Sequence, residues 1–179
     1  MSVKSVALCS IRPFGGTTIS KEQLGLSIPI AAEAGDLSRL RSCLSKVKTV
    51  SQRHLGQAAQ NAAKNGHLSC LQLVLSKARP ISQRNLGQAA QNAARNGHLS
   101  CLQVLFSSES RTIINQKNRD QALRVAAGNG CLPCLQFLLS SKCRVISQQN
   151  RDQAIQHAAS GGHLLCLQFL FSEGGTISQ

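Results

Sequence analysis

The fifteen residues from Asn61, NAAKNGHLSCLQLVL, return almost unchanged from Asn92 as NAARNGHLSCLQVLF. A stretch copied at a fixed distance constrains the architecture more than any other pattern, because the unit that carries it must pack against its own copies. Paired alanines mark the period: Ala31-Ala32, Ala62-Ala63, Ala93-Ala94, Ala126-Ala127 and Ala158-Ala159 step by 31, 31, 33 and 32 residues. Gly35, Gly66, Gly97, Gly130 and Gly162 keep the same steps. Five units of this length are too short to hold separate cores, so they bury their apolar faces against one another.

Each unit reads as two helices. In the second, Ser51 serves as an N-cap, and Leu55, Ala58, Ala59, Ala62 and Ala63 recur at helical spacing until Asn65-Gly66 ends the run. Leu68, Leu71, Val74 and Leu75 then form the stripe of a second helix that stops near Ser76. Small residues on the first helix let neighbouring backbones approach. The chain has no Trp or Tyr and only 5 Phe, so its core must come from Leu, Ala, Ile, Val and Cys. The units are expected at 21–49 (shorter and atypical, with a helix start at Pro29), 50–80, 81–111, 112–144 and 145–174, after a tail over 1–20. The closing 175–179 repeats the ISQ that opens units at Ile81 and Ile146, and predicts a further unit cut short or a fragment of a longer protein.

At this point the residues resemble the ankyrin repeat, whose pattern runs T-P-L-H-x-A-A, then G-H-L, then a helix rich in Val and Leu. NAAKNGHLSCLQLVL, NAARNGHLSCLQVLF and HAASGGHLLCLQFLF carry the resemblance best, with VAAGNGCLPCLQFLL and AAEAGDLSRLRSCL in register. Two features depart from the family. The T-P-L-H positions hold QAAQ at Gln57 and Gln88, QALR at Gln121 and QAIQ at Gln153, and the hairpin glycine is replaced by Leu55, Leu86, Arg119 and Arg151. Ser51, Ser82, Asn115 and Ser147 stand in register as N-caps upstream, so the first helix should extend into the region where the family's β-finger would otherwise form. The expected fold is an all-α, ankyrin-like solenoid of helical hairpins with few or no β-fingers. A HEAT-like or TPR-like stack is the structural alternative.

Candidate chemical sites are few. CLPC, Cys131 to Cys134, has the C-x-P-C spacing of thiol redox proteins, but Cys134 belongs to a repeated column with Cys70, Cys101 and Cys166, and Cys131 stands where other units have His67, His98 and His163. The column reads as small hydrophobes buried in a reducing compartment. The histidines read as structural, since equivalent side chains in stacked units are about 10 Å apart, too far to share a metal. Seven acids, Glu22, Glu33, Asp36, Glu109, Asp120, Asp152 and Glu173, pair with no recurrent His or Ser as an activated nucleophile would. No enzyme, cofactor or metal site is expected.

The surface signal is charge. The formal net charge is +13, and a field of that size attracts acidic proteins or nucleic acid. Arg53, Arg84 and Lys117 fall in one column and Lys64 and Arg95 in another, with Lys46, Lys48, Lys77, Arg79, Lys142 and Arg144 after the second helices. The resemblance implies a concave binding surface made of Arg53, His54, Lys64, Asn65, Arg84, Asn85, Arg95, Asn96, Lys117, Asn118, Asp120, Asn129, Gln149, Asn150 and Asp152. The sequence thus points to a monomeric, non-catalytic scaffold for a protein partner with an acidic surface. Two other readings stay open: sequence-nonspecific nucleic-acid binding, weakened by the lack of Trp and Tyr for stacking, and a module that positions an enzymatic domain lying outside this sequence. No apolar segment is long enough to span a bilayer and no secretory signal is apparent, which places the protein in the cytoplasm or elsewhere inside a cell; an export signal of bacterial effectors is not readable in this way.

Overall fold

The computed structural model describes residues 21–46, 50–77, 81–107, 114–140 and 147–174. These form five pairs of α-helices: α1 (Lys21–Ala34) with α2 (Leu37–Lys46), α3 (Gln52–Asn65) with α4 (Leu68–Lys77), α5 (Gln83–Arg95) with α6 (Leu99–Phe106), α7 (Gln116–Gly128) with α8 (Leu132–Ser140), and α9 (Gln148–Ser160) with α10 (Leu164–Gly174). There is no strand among the described residues. The odd-numbered helices lie side by side in an inner layer, and each even-numbered helix folds back on its predecessor to build a looser outer layer.

Local chemistry sets the length of the inner helices. Ser51 Oγ, Ser82 Oγ, Asn115 Oδ1 and Ser147 Oγ accept hydrogen bonds from the backbone N–H groups of His54, Asn85, Asn118 and Asn150, satisfying donors that the first helical turn leaves open. The helices therefore start upstream of the QAAQ-type segments, at Gln52, Gln83, Gln116 and Gln148. At the other end each inner helix stops at a left-handed glycine. Gly35, Gly66, Gly97, Gly130 and Gly162 have φ between 70° and 75°, and the next residue's N–H reaches back into the helix, as His67 does to the Ala62 carbonyl at 2.9 Å.

The inner layer packs closely because its contact face is almost all alanine. Ala58, Ala59, Ala62, Ala63, Ala89, Ala90, Ala93 and Ala94 are completely buried, and Leu71, Leu102, Leu135 and Leu138 fill the space between layers. The cysteine column of Cys70, Cys101, Cys134 and Cys166 is buried with them. Burial pushes the Cys70, Cys101 and Cys166 thiols up, which suits small uncharged core residues.

Two local expectations are corrected. The helix start placed at Pro29 is wrong: α1 begins at Lys21 and carries Pro29 in its interior. A proline ring presses on the carbonyl four residues earlier, here that of Gly25, and the helix persists because Leu24, Ile28, Ala31 and Ala32 form one continuous stripe packed into the core. Asp120, placed on the binding surface, is buried at 8% exposure. It accepts from Gln116 Nε2 and Asn150 Nδ2, each at 2.7 Å, while the neighbouring Arg119 guanidinium lies 5.2 Å from the Phe106 ring centre. Arg119 and Asp120 thus replace, inside the stack, the buried Leu-Gly pairs of α3 and α5. The tail over 1–20, the closing 175–179, the basic residues Lys48, Arg79, Lys142 and Arg144, and the Lys77 side chain lie outside the described residues.

Candidate interaction surface

Residues spaced by four, three and four along a helix share a face. In α3 the outward face carries Arg53, Gln57, Gln60 and Lys64; in α5 it carries Arg84, Gln88, Gln91 and Arg95. Lys117, Gln121 and Arg124 continue it on α7, and Gln149, Gln153 and Gln156 on α9. All are exposed or half-buried. Stacking turns these positions into columns, so cations at either end of the inner helices flank a central band of glutamines. Between α3 and α5 the surface sinks into a cleft of about 470 Å³ lined by Arg53, Gln57, Gln60, Arg84, Asn85 and Gln88. A second cleft of about 250 Å³, lined by residues including Arg95, Arg124, Asn129 and His157, lies further along.

The turns beside this face are tied in a repeating way. His67 Nε2 and Asn65 Nδ2 both reach the Glu33 carbonyl of the preceding unit, at 3.1 and 3.0 Å. His98 and Asn96 do the same to the Lys64 carbonyl, at 3.1 and 2.8 Å, and His163 to that of Gly128 at 3.1 Å. Each ring lies against the left-handed glycine of the unit before it, where a Cβ on Gly66 would meet His98 Nδ1 at 2.6 Å. A glycine turn followed by a histidine that binds the previous turn is the feature on which NGHL is built. A family model, described as ankyrin repeats in three copies, matches residues 91–179. The chain belongs to the ankyrin-repeat family.

No curated protein matches the chain. Among solved structures the chain is similar to the crystal structure of the human ASB11 ankyrin repeat domain, with a TM-score of 0.62 and 19% identity over 82% of this chain and 68% of that one. That likeness speaks for the fold. Ankyrin repeats generally mediate protein–protein interaction, and the fold is typically non-catalytic.

Within this ankyrin array the residues singled out from the sequence divide by position. Arg53, Lys64, Arg84, Arg95, Lys117 and Gln149 are exposed on the helix face. Asn65 and Asn96 are exposed too, but their amides are engaged in the turn ties, while Asn129 donates to the Val125 carbonyl of its own helix at 2.8 Å. His54, Asn85, Asn118 and Asn150 are half-buried against the preceding unit. Three of them sit on backbone bared by glycine, His54 on Gly25, Asn85 on Gly56 and Asn118 on Gly87. Asn150 meets Asp120 instead, because α7 has an acid where α3 and α5 have glycine. Asp152, the next member of that column, is exposed and accepts from Gln148 Nε2 at 2.9 Å.

Gln57, Gln60, Gln88 and Arg124 lie on the same face but were not among the residues expected there. Their signal was present, since each lies four or seven residues after a cation already chosen. Arg124 also ties the fourth and fifth units: Nη1 donates to Asn150 Oδ1 at 3.0 Å and to Gln153 Oε1 at 2.7 Å, and Nη2 donates to Gln121 Oε1.

Proposed function

We propose that the protein is a non-catalytic, monomeric scaffold that holds an acidic protein partner along the outward face of its inner helices. The observation that carries this reading is the arrangement of that face, with Arg53, Arg84 and Lys117 at one edge, Lys64 and Arg95 at the other, and glutamines between them. Arginine and lysine at the edges draw in carboxylates and raise the association rate. Gln57 and Gln88, exposed in the larger cleft, offer donors and acceptors to a partner's backbone or amides. Rigid stacking fixes the spacing of the columns, so binding requires little ordering of the scaffold. The intracellular setting belongs to this reading, as it suits eight cysteines, of which the buried column is held as free thiols.

The net charge of +13 also favours a second reading, phosphate-driven binding of nucleic acid. One experiment separates the two. The protein and its Arg53→Glu/Arg84→Glu/Arg95→Glu/Lys117→Glu variant are used to capture partners from lysate at about 150 mM salt, where charges beyond roughly 8 Å are screened, with and without nuclease. A defined protein retained after nuclease by the wild type and lost by the variant, with equal melting temperatures, supports the scaffold. Capture abolished by nuclease supports the polynucleotide, and a protein held equally by the variant removes this face from the account.

A further inference from the structure

Cys131 is the one member of its column that is not a histidine or the aspartate Asp36, and it stands three residues before a column cysteine. Its backbone carbonyl accepts from Leu135 N–H at 2.9 Å. Cys131 therefore occupies the N-cap position and Cys134 the third helical position of α8. This is the spacing at which an N-cap side chain faces the third helical N–H, here with sulfur in place of the usual oxygen. Pro133 between them has no N–H and fixes the first turn. The two sulfurs differ in access, for Cys131 is half-buried at the turn and Cys134 is completely buried. Among the described residues no third His, Cys, Asp or Glu joins them in a metal-holding group.

We propose that Cys131 and Cys134 are a thiol–disulfide exchange site that takes small-molecule disulfides, with Cys131 as the attacking sulfur and Cys134 as the resolving one. The hydrogen bonds from Cys134 hold the Cys131 thiol down at about 6 against the opposing effect of burial, so it is a thiolate at neutral pH. The same hydrogen bond, burial and the Cys131 charge push the Cys134 thiol up and keep it protonated. In the first step the Cys131 thiolate attacks one sulfur of the disulfide, forming a mixed disulfide and expelling one thiolate. Its negative charge is then gone, and with it the interaction that held the Cys134 proton. Cys134 gives that proton to the thiolate expelled in the first step, attacks the Cys131 sulfur and expels the second thiolate, which takes a proton from solvent. Two protein thiols are oxidised to one disulfide, and the small disulfide is reduced to two thiols.

The test uses the full chain with glutathione disulfide as the probe, followed by acid quench, alkylation and peptide mass analysis. Trypsin releases residues 125–142 as a peptide holding Cys131 and Cys134 and no other cysteine. The expected product is this peptide, unalkylated and lighter by two hydrogens, formed about tenfold faster than any modification of Cys101. Cys134→Ser should trap the glutathione adduct on Cys131, and Cys131→Ser should slow Cys134 to the rate of Cys101. Cys131→His, which restores the residue of the other units, supplies a folded control that forms no disulfide. An adduct on Cys131 of the Cys134→Ser protein no faster than that on Cys101, or a 125–142 peptide that stays doubly alkylated in the wild type, overturns the proposal.

Discussion

Replacing Gly87 by alanine should destabilise the array even though alanine is the better helix former. The propensity gain in a helix interior is about 0.8–1.0 kcal/mol. A Cβ at Gly87, however, overlaps Asn118, whose Cγ, Oδ1 and Nδ2 are the nearest atoms to it. Asn118 is not free to swing away at no cost, because its Nδ2 donates to the Gln83 carbonyl at 2.9 Å. Losing that bond costs about 1 kcal/mol and relieving the overlap about 1–3 kcal/mol, so Gly87→Ala should lower stability by a net 1–3 kcal/mol or so. With Asn118→Ala already in place the obstacle is absent and the same substitution should stabilise by about 0.5–1 kcal/mol. Urea unfolding of the four proteins, followed by helical circular dichroism and fitted with a common slope, gives the coupling between the two sites directly. Asn118→Ala leaves the helix cap intact, since the cap uses the Asn118 backbone N–H and the Asn115 side chain. Stabilisation of the wild type by Gly87→Ala, or simple additivity of the two substitutions, would refute a steric clash between Gly87 and Asn118.

Three other outcomes follow from the same contacts. Ser82→Ala removes the oxygen that accepts from Asn85 N–H at 3.3 Å and should cost about 1 kcal/mol in chemical unfolding, with Ser82→Asp restoring most of it. Cys131→His should raise the unfolding midpoint, gaining about 0.5–1.5 kcal/mol by supplying the tie to the Arg95 carbonyl that His98 makes to Lys64; Gly97 has the space, as only the Cys131 sulfur, at 3.6 Å, approaches its Cβ position. A midpoint that does not rise would show that the ring cannot be seated there. Alkylation of Cys131 by iodoacetamide should be half-maximal near pH 6 and rise as pH increases, because the thiolate is the reactive form and Cys134 lowers the Cys131 pKa to about 6; Cys134→Ala, which removes the donated thiol, should move the midpoint upward. A wild-type midpoint in the ordinary thiol range would show that Cys134 does not lower the Cys131 pKa.

The solenoid was legible because its determinants are local and repeated. Capping residues at Ser51, Ser82, Asn115 and Ser147 and left-handed glycines at each turn are read by neighbouring backbone groups alone, so the limits of α3 and α5 follow from chemistry within a few residues. The exposed cations were legible for the same reason. What escaped were properties of the junctions between units. Asp120 looks like a surface acid until Asn150, thirty residues away, is seen to donate to it. Asn85 and Asn118 look like surface amides until the bare backbone of Gly56 and Gly87 is set beneath them. Pro29 reads as a beginning because proline disfavours helix interiors, and only the burial of Ile28 and its neighbours shows why packing overrides that preference.

The glycine seats also bear on how the chain finds its order. Asn85 fits Gly56 and Asn118 fits Gly87, and the surroundings of the two seats are nearly the same, down to the NGHLSCLQ that follows each. While the chain is still collapsing, α7 can settle on α3 in place of α5, leaving the third hairpin looped out. Such a species would be held by native-like contacts and would have to reopen before folding could finish. The next junction is written differently. A bare glycine cannot return the hydrogen bond that Asn150 makes with the Asp120 carboxylate, so α9 is drawn to α7, and the sequential order of the units is anchored from that side.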